Sequence, residues 1–179
     1  MAGYEFFVRT TVTPAEQQEI EQVSVIASRM LGHLEMRQAE IDRVHVHGAP
    51  SKAVQDIVAE LLVDELGFEQ EHVLTPEDGL VTRPRPDFYR EMSPGRGILA
   101  EVERGGTTTN NHDLKDMWKA HLAPTAQHLF LIVPQQNQNS SGEPREWPFS
   151  RVKQRLAVFF GDPRREVDVL SLHIFGYGG

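Results

Sequence analysis

The run His128-Leu129-Phe130-Leu131-Ile132-Val133 constrains this chain more than any other segment. Side chains of a strand alternate between two faces, and here both faces are apolar. Such a strand sits inside a sheet covered on both sides, as in parallel α/β sheets. Helical spacing on either side agrees: Leu114, Met117, Trp118 and Leu122 precede the run, and Val152, Leu156, Phe159 and Phe160 follow it. The predicted class is α/β, a mixed central sheet flanked by helices.

The remaining segments fill in that class. Residues 4–12 (YEFFVRTTV) read as a strand rich in β-formers. Thr13-Pro14-Ala15-Glu16 is a capping box with Pro at the first helical position, and Gly32 is placed to end the helix it opens. Residues 41–47 (IDRVHVH) alternate apolar and polar, which predicts a strand. Ser51 is a candidate N-cap for a helix over 52–66, with Val54, Ile57, Val58, Leu61 and Leu62 inward and Asp56, Glu60 and Asp64 on another face. A short strand near 71–74, a turn at Thr75–Gly79 and strands at 86–90 and 97–104 follow. Asn111 is placed to cap the next helix, residues 135–148 form a polar loop, and a helix over 150–160 leads to a strand over 167–175. Residues 1–50 are an N-terminal embellishment, 52–134 the core, and 150–175 a C-terminal helix and strand of one domain.

At 179 residues the chain is long enough to bury a substantial core. No apolar run approaches the length of a membrane span, no secretory leader is evident, and no Cys is present, so disulfides and thiolate metal sites are excluded. A cytoplasmic location is expected. The net charge of −8 is unevenly spread: residues 1–79 hold 5 Lys/Arg against 15 Asp/Glu, whereas 80–142 hold 7 against 6 and 143–179 hold 6 against 5. The acidic part can face away from a polyanion or serve as a partner surface.

The chemistry concentrates on two of the predicted strands. Pro86-Asp87 opens one, and Glu101-Val102-Glu103 closes the next. Glu101 and Glu103 are two apart and share a face, and hairpin pairing brings Asp87 alongside. Three converging carboxylates call for a cation, and oxygen-only clusters suit Mg²⁺ or Mn²⁺.

Pro86-Asp87, Glu101-Val102-Glu103 and an αβββαβ element order over roughly 52–134 resemble the PD-(D/E)XK, or restriction-endonuclease-like, nuclease superfamily. The resemblance implies a metal-dependent nuclease that hydrolyses DNA phosphodiesters. Asp87, Glu101 and Glu103 would hold the metal, with Glu60 an outer ligand. The third motif position, usually Lys, is Glu103 here. Lys115 or Lys119 on the following helix is a candidate replacement. A homodimer, which would supply two active sites for a duplex, is the expected assembly. The same fold as a non-catalytic nucleic-acid-binding subunit, or a Mg²⁺-dependent enzyme acting on a small phosphate ester, remains an open alternative.

Around the acids, the loop Arg104–Asn111 (RGGTTTNN) leads to a helix start, where Arg104, Thr107, Thr108, Asn110 and Asn111 are candidate phosphate contacts, or a connector with a cap. Arg83, Arg85, Arg90, Arg96 and Lys119 add positive charge nearby. Arg151, Lys153, Arg155, Arg164 and Arg165 form a second basic cluster. His45 and His47 share a strand face in this reading, either as a zinc pair or in a structural role. Trp118 and Met117 are assigned to the core.

Overall fold

The computed structural model describes residues 1–74 and 85–179; the turn predicted at Thr75–Gly79 and Arg83 lie outside the described residues. The elements run β1 (Gly3–Val8), α1 (Pro14–Met36), α2 (Gln38–Val44), α3 (Lys52–Leu62), β2 (Glu69–Gln70), β3 (Phe88–Ser93), β4 (Arg96–Val102), α4 (His112–Leu122), β5 (His128–Pro134), β6 (Asn137–Gln138), β7 (Pro144–Glu146), α5 (Pro148–Leu156) and β8 (Ser171–Tyr177).

Among the described residues six strands form one mixed sheet in the order β1-β8-β5-β4-β3-β2. β4, β5 and β8 are parallel neighbours, while β2, β3 and β4 form an antiparallel meander and β1 closes the far edge against β8. Every residue of β5 is buried, as its two apolar faces require. Strand parity sorts the core into two layers. Ile98, Ala100, Val102, Phe130, Ile132, Phe175 and Tyr177 pack under α1, α2 and α3. Leu99, Leu129, Leu131, Val133, Leu172 and Ile174 pack under α4 and α5. Among the described residues no helix is long and apolar enough to cross a membrane.

Several boundaries differ from the sequence reading, each for a physical reason. The capping box forms, with Thr13 Oγ1 accepting from the Glu16 amide at 3.2 Å and the Glu16 carboxylate accepting from the Thr13 amide at 2.7 Å. Gly32 does not end α1. Burial of Met30, His33 and Leu34 carries the helix past it to Met36. Residues 41–47 are not a strand: α2 covers Gln38–Val44, and Ile41, fully buried, is joined by Val44 three residues on, a helical spacing that the alternation concealed. Ser51 and Asn111 occupy N-cap positions without capping through their side chains. The segment at 71–74 is not a strand; the ladder lies at Glu69–Gln70. Within the predicted polar loop, β6 and β7 pair as a small hairpin. Trp118 is 56 % exposed rather than core, because α4 turns Asp113, Asp116, Met117 and Ala120 inward.

Candidate active site

The carboxylates meet because of register. Phe88 pairs with Ala100 and Tyr89 with Leu99, so Asp87, one residue before β3, falls opposite Glu101 on the face that α4 covers. The Asp87 amide donates to Glu101 Oε2 at 3.2 Å, and the Val102 amide donates to Asp87 Oδ2 at 2.8 Å. Glu103 follows β4 directly on the same side, anchored through its amide to the Ile132 carbonyl at 2.9 Å. Asp87, Glu101 and Glu103 all line one cleft of about 480 Å³, joined there by Gln55, Arg85, Arg104, His112, Asp116 and Lys119.

Helix α4 supplies what the strands lack. Lys119 Nζ donates to Glu101 Oε1 and lies 3.3 Å from Asp116 Oδ1. His112 Nδ1 is 2.7 Å from Glu103 Oε2. Asp116 is buried, and its Oδ2 has no hydrogen-bond partner among the described residues. Sequence reasoning missed Asp116. Its signal was its place on the apolar stripe of α4, three residues after buried Asp113 and next to Met117.

Four carboxylates share the cleft with Lys119, Arg85 and Arg104, and burial shifts their proton affinities. Burial raises the Asp87 carboxyl, partly opposed by the Val102 amide and the Gln55 side chain. Burial, reinforced by Asp116, raises Glu101. Burial, reinforced by Glu103, raises Asp116. Burial raises Glu103, with His112 opposing. For Lys119, burial acts to lower the pKa, but Glu101 and Asp116 outweigh it and hold the ammonium protonated. A group of this kind gains from an additional cation.

Mg²⁺ or Mn²⁺ fits the chemistry of these donors. All are hard oxygens, and one of them, Asp116 Oδ2, is buried without a partner. In the present side-chain arrangement no three His, Asp or Glu groups among the described residues are positioned to enclose an ion. Lys119 stands between Glu101 and Asp116 as the compensating charge.

The other candidate residues are dispersed. Glu60 is paired with Arg37 and does not line the cleft; the same helix contributes Gln55 instead. Lys115 is exposed and outside the cleft lining, whereas Lys119, one turn on, points in. Arg85 reaches Glu71 at the rim. Thr107 is buried and donates to the Arg104 carbonyl at 3.0 Å, so its hydroxyl serves the loop rather than a ligand. Thr108, Asn110 and Asn111 also stay outside the cleft lining. Arg155, expected on a basic surface, binds Asp113 (2.9 Å), Asn111 Oδ1 (2.9 Å) and the Thr108 carbonyl (3.2 Å), tying the loop to α5. Lys153 pairs with Glu5, Arg164 and Arg165 with Asp162, and Arg96 with Glu19. His45 and His47 do not share a strand; each ring contacts a backbone carbonyl, of Gln136 at 2.8 Å and of Gln138 at 3.2 Å.

A second polar constellation crosses the opposite face of the sheet. Glu19 Oε1 lies 2.8 Å from His128 Nε2, His128 Nδ1 2.7 Å from Ser171 Oγ, Ser171 Oγ 3.1 Å from His173 Nε2, and His173 Nδ1 2.8 Å from the Tyr4 hydroxyl. Burial lowers the pKa of both imidazoles, which favours their neutral forms. With both rings neutral, the carboxylate, which only accepts, orders the chain: Tyr4 donates to His173, His173 to Ser171, Ser171 to His128, and His128 to Glu19. The Glu-His-Ser order matches a hydrolytic triad, yet Ser171 is completely buried and no substrate reaches its Oγ.

No protein-family model matches the chain, and no curated protein matches it.

Proposed function

We propose that the chain is a Mg²⁺- or Mn²⁺-dependent endonuclease that hydrolyses DNA phosphodiester bonds. The observation that carries this reading is the convergence of Asp87, Glu101 and Glu103 in one cleft with Asp116 and Lys119. Element order supports it as well: α3, the β2-β3-β4 meander, α4 and parallel β5 follow the order that the restriction-endonuclease-like resemblance implies.

In this reading Asp87 and Glu101 would hold the ion, with Glu103 completing the site as ligand or general base; the ion would supply Lewis-acid polarisation of the phosphate and an acidified water. Lys119, kept protonated, offers its charge to a phosphate oxygen in place of the usual motif lysine. As the base, Glu103 would take the proton of the attacking water, and the His112 N–H, 2.7 Å away, would hold its carboxylate in place. A homodimer cuts both strands of a duplex, and the cytoplasm is its location.

The second reading is a non-catalytic DNA-binding subunit of the same fold. The ion pairs of Lys119 with Glu101 and Asp116 favour it, since the acids already have a compensating cation. One experiment separates the two: incubation of plasmid and linear DNA with Mg²⁺, Mn²⁺ or EDTA, wild type beside Glu101→Ala. Metal-dependent cutting lost in the variant supports the nuclease. DNA binding without cutting under either metal selects the second reading.

A further inference from the structure

Beside the acid cleft lies a second cavity of about 300 Å³, at the small end of the range for ligand pockets. Arg104 and Gly105 line both, so the two are contiguous. Its remaining wall comes from segments with no role in the carboxylate site: His45 and His47 after α2, Gly106 in the loop, and Arg145 on β7. Glu146, the only acid on the wall among the described residues, lies 3.6 Å from Arg145.

Two side chains lining this cavity, half-buried Arg104 and buried His45, each carry a buried nitrogen with no hydrogen-bond partner among the described residues. Arg104 donates through one terminal nitrogen to the Val46 carbonyl, but its Nε is buried with no partner among the described residues. His45 is 6 % exposed; its Nε2 proton goes to the Gln136 carbonyl, which leaves Nδ1 as a bare, buried acceptor without a partner among the described residues. The Gly105 and Gly106 amides donate no hydrogen bond to the described residues. At Gly105 a Cβ would meet nothing within 4 Å, so the backbone there is open to close approach. Buried groups of this kind are normally satisfied. The complement of guanidinium N–H, backbone N–H and one lone-pair acceptor is a phosphate ester that also carries an O–H or N–H donor. A bare anion would leave His45 unmet.

We infer that this cavity seats one nucleotide of the strand whose neighbouring phosphodiester is presented to Asp87, Glu101 and Glu103. Its phosphate lies on Arg104, Arg145 and the glycine amides, and a donor of its sugar or base lies on His45. This inference rests on the nuclease reading, and it gives α2 and the β6-β7 hairpin a part in gripping the strand.

The test is anisotropy of a labelled oligonucleotide titrated with wild type and with Arg145→Gln, over a series of salt concentrations, in EDTA and again with Ca²⁺. Arg145 is an exposed side chain, and its replacement does not touch the core. Loss of one phosphate contact lowers the slope of log K against log salt by about one; that result supports the site. A slope and affinity equal to wild type overturns the site and leaves the nuclease reading standing. No oligonucleotide binding by wild type under either condition overturns both. In parallel, inorganic phosphate alone is titrated while the His45 ring resonances are followed; a response to phosphate but not to oligonucleotide overturns the strand assignment in favour of a free phosphate ligand.

Discussion

Acidification should unfold this protein through His173. The ring is fully buried against Phe6 and Phe130, and its two nitrogens are taken by Ser171 and Tyr4. No carboxylate among the described residues touches it; Glu19 and Arg96 lie beyond His128 at the far end of the chain of hydrogen bonds. Burial, assisted by His128, therefore moves its pKa from the ordinary 6.5 down to about 3. The unfolded chain takes up a proton as pH falls through 6.5 while the folded chain does not, so the contribution is complete above 6.5 and is lost progressively toward 3. At about 1.4 kcal/mol per pH unit, the loss between pH 7 and pH 5 is about 2 kcal/mol, or roughly 4–8 °C in Tm for a domain of this size. The comparison is urea unfolding of wild type and His173→Gln at pH 7 and pH 5. Glutamine offers an N–H to Ser171 and a carbonyl to Tyr4 but does not titrate. Trp118 and Trp147 are 56 % and 52 % exposed and report folding poorly, so far-UV circular dichroism is the readout. The variant is less stable at both pH values, and its pH 7 to pH 5 difference shrinks by about 2 kcal/mol. An unshrunken difference would refute the assignment of a neutral, proton-accepting His173.

Three further outcomes follow from the site and the sheet. Asp116→Asn removes a buried charge whose pKa is raised, so it should stabilise the protein at pH 8 by roughly 1–3 kcal/mol in thermal melts while lowering DNA cleavage. The sign follows from linkage: a raised carboxyl loses stability as pH climbs above its unfolded pKa, and the asparagine does not. Millimolar Mn²⁺ should raise the Tm of wild type but not of Asp87→Asn, since only a folded state that binds the ion gains from it. Gly97→Ala should destabilise by roughly 1–3 kcal/mol in urea unfolding, because its Cβ would stand 2.6 Å from the Arg90 carbonyl and from the Tyr89 hydroxyl across the β3-β4 ladder.

Local chemistry was legible in the sequence wherever it decided its own outcome. The Thr13 box needs only four residues, and the parity of Glu101 and Glu103 follows from the strand itself. The sequence also brought Asp87 alongside Glu101 and Glu103, because hairpin pairing of neighbouring strands is a local property. What it concealed depends on orientation. Met117 and Trp118 differ by about 100° around a helix, and either could have faced inward on spacing alone. The packing of α4 against a polar cleft chose the side bearing Asp116 and left Trp118 outside. Val44 and Val46 satisfy a strand while Ile41 and Val44 satisfy a helix, and contact with α1 and α3 decided between them. The arginines misled for another reason: charge count says nothing about partners. Arg155 and Arg96 are committed to internal ion pairs.

The antiparallel seam between Gly3–Val8 and Ser171–Tyr177 joins segments some 170 residues apart. During synthesis β1 emerges early and its partner late. For most of that interval Tyr4, Phe6 and Phe7 form an aromatic strand with no neighbour to pair with. Closure of this edge is therefore a late, entropically costly step of folding. In the nascent chain this unpaired strand needs shielding from other chains.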